Sequence, residues 1–175
     1  MNQYFKLLKK YSTTKKHYEI ILNHSLLVLS KSIDIIAKKE LCNDIDFDLV
    51  VSGSLLHDIG ACRFMENFDK PQKDYLKHGI IGGEILRRED LNEEALIAER
   101  HIGSGLSKKY IEENNLPLPH RDFLPITLEQ KLVCYADKFH SKSDKKDNLK
   151  SIKKEMEGFG KEPFGRFLEL EKLFG

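Results

Sequence analysis

The stretch SLLHDIGACR, from Ser54 to Arg63, sets a histidine and an aspartate side by side at the end of an apolar run. Burying either His57 or Asp58 alone is costly, so the pair belongs either in water at a helix end or around a positive charge. Upstream, DLVVSGSLLHD predicts a helix from about Phe47 to Asp58. Gly60 is placed to end it in the left-handed cap conformation.

Working outward, the periodic signal is helical. In KKHYEIILNHSLLVLSKSIDIIAKKEL the apolar residues Ile20, Ile21, Leu27, Val28 and Ile35 recur at three- and four-residue steps, predicting a long amphipathic helix with His24 facing inward. A loop containing NFDKPQ leads to DYLKHGIIGGEILRRE, where Gly79, Gly82 and Gly83 share a helical face and permit close backbone approach. NEEALIAERHIGSGLS predicts a short helix with His101 near its C-terminal end, and LPLPHRDFLP a proline-punctuated connection. The next helix starts at Thr127, where Thr127 and Gln130 have capping-box spacing, and it carries Asp137 close to its apolar face. SKSDKKDNLK is read as a solvated loop. Segments near Ile152 to Met156 and Phe164 to Phe174 are expected to pack back onto the domain. With no run of convincing strand alternation, the fold class is all-α, a helical bundle of six to eight helices.

At 175 residues the chain fits a single domain, 1–175, able to bury a core without disulfides. A formal net charge of +1 gives no global field for nucleic acid or an anionic membrane, so neither is expected as a partner. Cys42, Cys62 and Cys134 lack any CxxC spacing and are read as reduced thiols. No signal peptide and no segment of membrane-spanning length is expected, which places the chain in the cytoplasm.

Taken singly, each polar residue has a bland reading: a core histidine with its hydrogen bonds made, or an aspartate paired with a neighbour such as Lys138. Taken together, His24, His57, Asp58, His78, His101 and Asp137 lie on five predicted helices, each at or near an apolar face. Burying six such groups without a cation would force pKa shifts that neutralise the carboxylates, and metal ions remove that cost. Imidazole and carboxylate donors suit iron, manganese, zinc or cobalt. Six ligands exceed what one catalytic ion holds while keeping an open position, so two ions are expected, with Asp58 bridging.

In this order the residues resemble the HD superfamily of metal-dependent phosphohydrolases, whose namesake tetrapeptide stands at His57 to Gly60. The resemblance covers residues 16–141 as a metal-binding core and leaves 142–175 as a C-terminal helical extension. It implies that His24, His57, Asp58 and Asp137 bind one metal and that His78 and His101 serve a second. The cofactor implied is two divalent or trivalent transition ions, iron or manganese first, with zinc, cobalt or nickel as alternatives. No GYP triplet follows the site, unlike the cyclic di-guanylate phosphodiesterases that carry it. The six-ligand arrangement looks more like small stand-alone hydrolases that split dinucleoside tetraphosphates, and like uncharacterised stand-alone HDIG proteins.

The expected reaction is hydrolysis of a phosphoester or phosphoanhydride, preferably a nucleotide, by a hydroxide held between the metals and placed for in-line attack. Asp58 and Arg63 are the catalytic candidates. Arg63, five residues beyond Asp58, is also the first candidate to bind substrate phosphate, followed by Arg121 and the backbone of Gly103-Ser104-Gly105. His17, His120 and His140 are read as surface or structural. The competing readings are a di-iron oxygenase of the same superfamily and a non-catalytic nucleotide-binding module.

Overall fold

Among the described residues, five helices begin at a side chain that accepts the exposed amide three residues on. The caps are Thr14, Asp46, Ser107, Thr127 and Asn148, each worth roughly 1 kcal/mol. A computed structural model describes residues 2–64, 73–140 and 148–175. Among them the α-helices are α1 (Asn2–Tyr11), α2 (Lys15–Lys38), α3 (Phe47–Leu56), α4 (His78–Arg88), α5 (Asn92–Arg100), α6 (Lys108–Glu113), α7 (Leu128–Asp137), α8 (Leu149–Gly158) and α9 (Lys161–Phe174). Only isolated bridges, such as Leu106 with Phe123, interrupt this all-α, single-domain architecture. The expected loops at NFDKPQ and in most of SKSDKKDNLK lie outside the described residues.

Helix α2 packs on α3 and α7, while α4 lies along α5. Val28, Leu55, Leu56, Leu132 and Phe167 are removed from solvent, each worth roughly 1.5–3 kcal/mol. Among the described residues α2, with 24 residues, is long and apolar enough to cross a membrane by length and composition, which corrects the expectation that no segment is. Its buried face, with Ile21, His24, Val28 and Ile35, is part of the core of this domain.

Gly60 does not cap α3 in the left-handed region. The helix ends at Leu56, and Ile59–Arg63 form a 3-10 turn in which Gly60 is absent from the positive-φ positions. Gly60 provides room instead. A Cβ there would stand 2.0 Å from the His78 carbonyl oxygen and 2.4 Å from the Gly82 nitrogen. The α4 glycines behave as expected: a Cβ on Gly79 would meet the Ala98 carbonyl at 2.7 Å, and one on Gly83 would meet the Glu99 side chain at 2.7 Å. These contacts press the start of α4 against the turn after Asp58 and against α5.

Candidate metal centre

Helix ends supply most of the site. His57 caps the C-terminus of α3, Asp58 opens the 3-10 turn, His78 is the first residue of α4, His101 caps α5, and Asp137 is the last residue of α7. Only His24 comes from mid-helix, where the inward face of α2 buries it. All six residues converge. His57 and Asp58 share the site although neighbours on a helix diverge by about 100 degrees, because the α-helix gives way to the 3-10 turn between them.

Three of the histidines are oriented in one way. The Nδ1 atoms of His57, His78 and His101 lie 2.8, 2.5 and 2.8 Å from the carbonyl oxygens of Ser54, Tyr75 and Ala98, each three residues earlier. A carbonyl only accepts, so Nδ1 carries the hydrogen and Nε2 turns its lone pair inward. Tyr75 also stacks on the His78 ring at 4.4 Å between centroids. The sequence reading missed this support; its signal is an aromatic residue three positions before the histidine.

Asp58, fully buried, divides the cluster into two halves. Its Oδ2 lies 3.2 Å from His24 Nε2 and 3.5 Å from His57 Nε2, and its Oδ1 lies 3.2 Å from His78 Nε2 and 3.6 Å from His101 Nε2. Asp137 joins the first half through Oδ1, 3.0 Å from His24 Nε2 and 3.6 Å from His57 Nε2. Two subsets, His24 with His57 and Asp137, and His57 with Asp58 and His101, hold their donor atoms within 4.8 Å of one another.

This donor set fits metal. In the second half, His78 Nε2 and His101 Nε2 face each other at 3.1 Å with Asp58 Oδ1 beside them. All three atoms present lone pairs, and a cation between them turns that repulsion into coordination. Burial depresses the His101 pKa to about 4, so its ring is neutral and free to offer a lone pair to a cation. In the first half burial also opposes charge on His24, yet hydrogen bonds to Asp137 and Asp58 raise its pKa to about 9. Protonated His24 therefore supplies the positive charge that a metal would replace. Burial opposes charge on Asp137 too, but Lys138 and the His24 and His57 contacts hold its carboxyl well below the usual range.

Neither candidate arginine is one of the six converging side chains. Arg63 is exposed at the end of the 3-10 turn that starts beyond Asp58. Arg121 is 3.3 Å from buried Glu99, which also receives a two-pronged contact from Arg87, and its guanidinium lies over the Phe123 ring at 4.6 Å. Gly103 and Gly105 take positive φ. Between them, Ser104 donates to the Pro163 carbonyl at 2.7 Å, so the loop after His101 is fastened to α9. His17 pairs with Thr13, and exposed His120 lies 3.5 Å from Glu112. Cys134 is buried behind the site with its thiol pushed up to about 12 by burial.

A likeness to the HD domain of the L. monocytogenes phosphodiesterase PgpH, at TM-score 0.61 and 20% identity, covers 95% of this chain and 85% of that one. The same domain in complex with cyclic-di-AMP gives TM-score 0.59 at 21% identity, covering 95% and 84%. These likenesses concern the fold. An uncharacterized protein of Methanocaldococcus jannaschii is 42% identical over 121 residues, which are 68% of this chain and 65% of that protein. Proteins named tRNA (cytidine(56)-2'-O)-methyltransferase from Thermoplasma volcanium and Picrophilus torridus are 33% identical over 147 residues and 38% over 112. The matches take in 83% and 63% of this chain but only 38% and 29% of those methyltransferases. The HD domain family model matches residues 21–142, a span that contains all six converging side chains. With that match and this fold, the chain belongs to the HD domain family.

Proposed function

We propose that the chain is a metal-dependent phosphohydrolase that binds two transition ions and cleaves a phosphoester or phosphoanhydride, with a nucleotide as the preferred substrate class. The observation that carries this reading is Asp58, which offers one oxygen to each pair of histidines. His24, His57, Asp58 Oδ2 and Asp137 would hold the first ion, and His78, His101 and Asp58 Oδ1 the second. When bound, such ions polarise a phosphoryl oxygen and make a water acidic enough to attack phosphorus at neutral pH. The residues contribute orientation: the three backbone-anchored imidazoles keep Nε2 inward, and the buried Asp58 fixes the two halves relative to each other. Arg63 lies on the exposed rim of the turn after Asp58, where a guanidinium can take a phosphate in a two-pronged contact.

A nucleotide is favoured because the PgpH HD domain of the same fold is known in complex with cyclic-di-AMP. The methyltransferase activity named for two relatives is not carried over, since the match spans a minor part of those proteins. The test is a panel of cyclic dinucleotides, dinucleoside polyphosphates, nucleoside phosphates, simple phosphoesters, polyols and phosphonates, offered to manganese- or iron-loaded protein with and without oxygen. Metal-dependent release of phosphate or nucleotide, indifferent to oxygen, is expected. Oxygen consumption with a polyol or phosphonate and no hydrolysis would replace this reading with the oxygenase.

A further inference from the structure

The two carboxylates of the cluster are used differently. Asp58 turns both oxygens toward histidines, whereas Asp137 turns only Oδ1 toward His24 and His57. Its Oδ2 accepts a hydrogen bond from Lys138 Nζ at 2.7 Å. Lys138 immediately follows the last residue of α7, and the two side chains are only 15% and 14% exposed. Resting on the metal-binding reading above, we infer that Lys138 is a positioning residue that confines Asp137 to one-oxygen ligation and holds down the metal affinity of the first half.

Two physical effects act together. The ammonium occupies the second carboxylate oxygen, which would otherwise be available to the same ion. It also places a like charge beside a cation site, where partial burial weakens screening. An exposed lysine next to an acid would do neither, because solvent would compete for the ammonium. Confinement to one oxygen leaves an additional position on the ion open for water or substrate. A lysine serving only to hold α7 in place would have the opposite signature, since its loss would loosen Asp137 and weaken metal binding.

Metal-free full chain is titrated with Mn2+ alone, following the free-ion electron paramagnetic resonance signal, for wild type, Lys138→Met, Lys138→Gln and Lys138→Arg. Removing the charge should tighten binding of one of the two ions, the one held by the first half, by about tenfold. Lys138→Gln should tighten it as well, because an amide can still donate to Oδ2 but carries no charge, and Lys138→Arg should stay close to wild type. The bound-Mn2+ spectrum should change in Lys138→Met as the second oxygen enters. If wild type binds Mn2+ while folded Lys138→Met and Lys138→Gln bind no more tightly, the inference fails and the metal reading stands. Should Lys138→Met not fold, Lys138→Gln against Lys138→Arg decides by the same criterion. A wild type that binds no Mn2+ overturns both.

Discussion

At the scale of single residues, two histidines of the cluster are pulled in opposite directions, and metal-free protein should show it. An unfolded imidazole titrates near 6.5, whereas folded His101 stays neutral down to about 4 because burial disfavours its charge. Between those values the unfolded chain binds more protons, so stability rises with pH. His24, raised to about 9 by Asp137 and Asp58 against the effect of burial, reverses the sign above 6.5. There the native state binds more protons, and its contribution is lost as pH approaches 9. Thermal melts of metal-free protein from pH 4 to 9 should peak near the middle of that range. Added Mn2+ should raise the melting temperature more at pH 9 than at pH 6.5, since the ion no longer has to displace the His24 proton. A metal-induced rise that shrinks with pH would contradict the assignment of His24 as a ligand. Arg63 makes a separate prediction. If its guanidinium meets charge developing on the phosphoryl group, Arg63→Ala should keep its metal and lose about a hundredfold in kcat/KM, the equivalent of a contact worth roughly 2–4 kcal/mol. Lysine should restore only part of this, because it keeps the charge without the fork. Unchanged turnover in Arg63→Ala would remove the residue from the reaction.

At the scale of elements, the site depends on how closely α4 approaches the turn after Asp58. Gly60→Ala would drive a methyl group into the backbone at His78 and Gly82, and no rotamer change relieves a clash with backbone. Destabilisation of about 1–3 kcal/mol is expected, read from the denaturant midpoint, together with preferential loss of metal from the half that contains His78. Wild-type stability in this variant would show that the approach is not tight. The role of Gly60 was not legible in the sequence. A glycine after a helix reads as a left-handed cap, and only the remote partner α4 reveals that space is what it provides. The glycines of α4 were legible because they repeat along one helical face, and Thr127 was legible because the cap and the Gln130 residue whose amide donates to it lie three residues apart. Helix α6, with six residues, is too short to show periodicity. Helix α1 is rich in lysine, and its apolar side gains meaning only against the core cluster that holds Leu8.

At the scale of the whole molecule, the sequence revealed which residues meet but not how they divide. Histidines and aspartates at the apolar edges of five helices, with the HDIG motif among them, identify the candidate ligands by type and order. Their partition into two halves comes from the orientation of one carboxylate. That orientation follows from the change from α-helix to 3-10 turn at His57 and Asp58, which has no periodic signature. The partner of Asp137 was legible only as a bland alternative, because a lysine next to an aspartate is ordinarily solvated; burial at the end of α7 makes Lys138 part of the site. If the domain is assembled around two cations joined by Asp58, its metal content must show it. The most direct measurement is that content in anaerobically purified protein, saturated with manganese or iron and freed of loosely bound ions, for wild type and His101→Ala side by side. Close to two ions per folded wild-type chain and close to one in the variant are expected. One ion per chain in both would contradict a two-cation assembly.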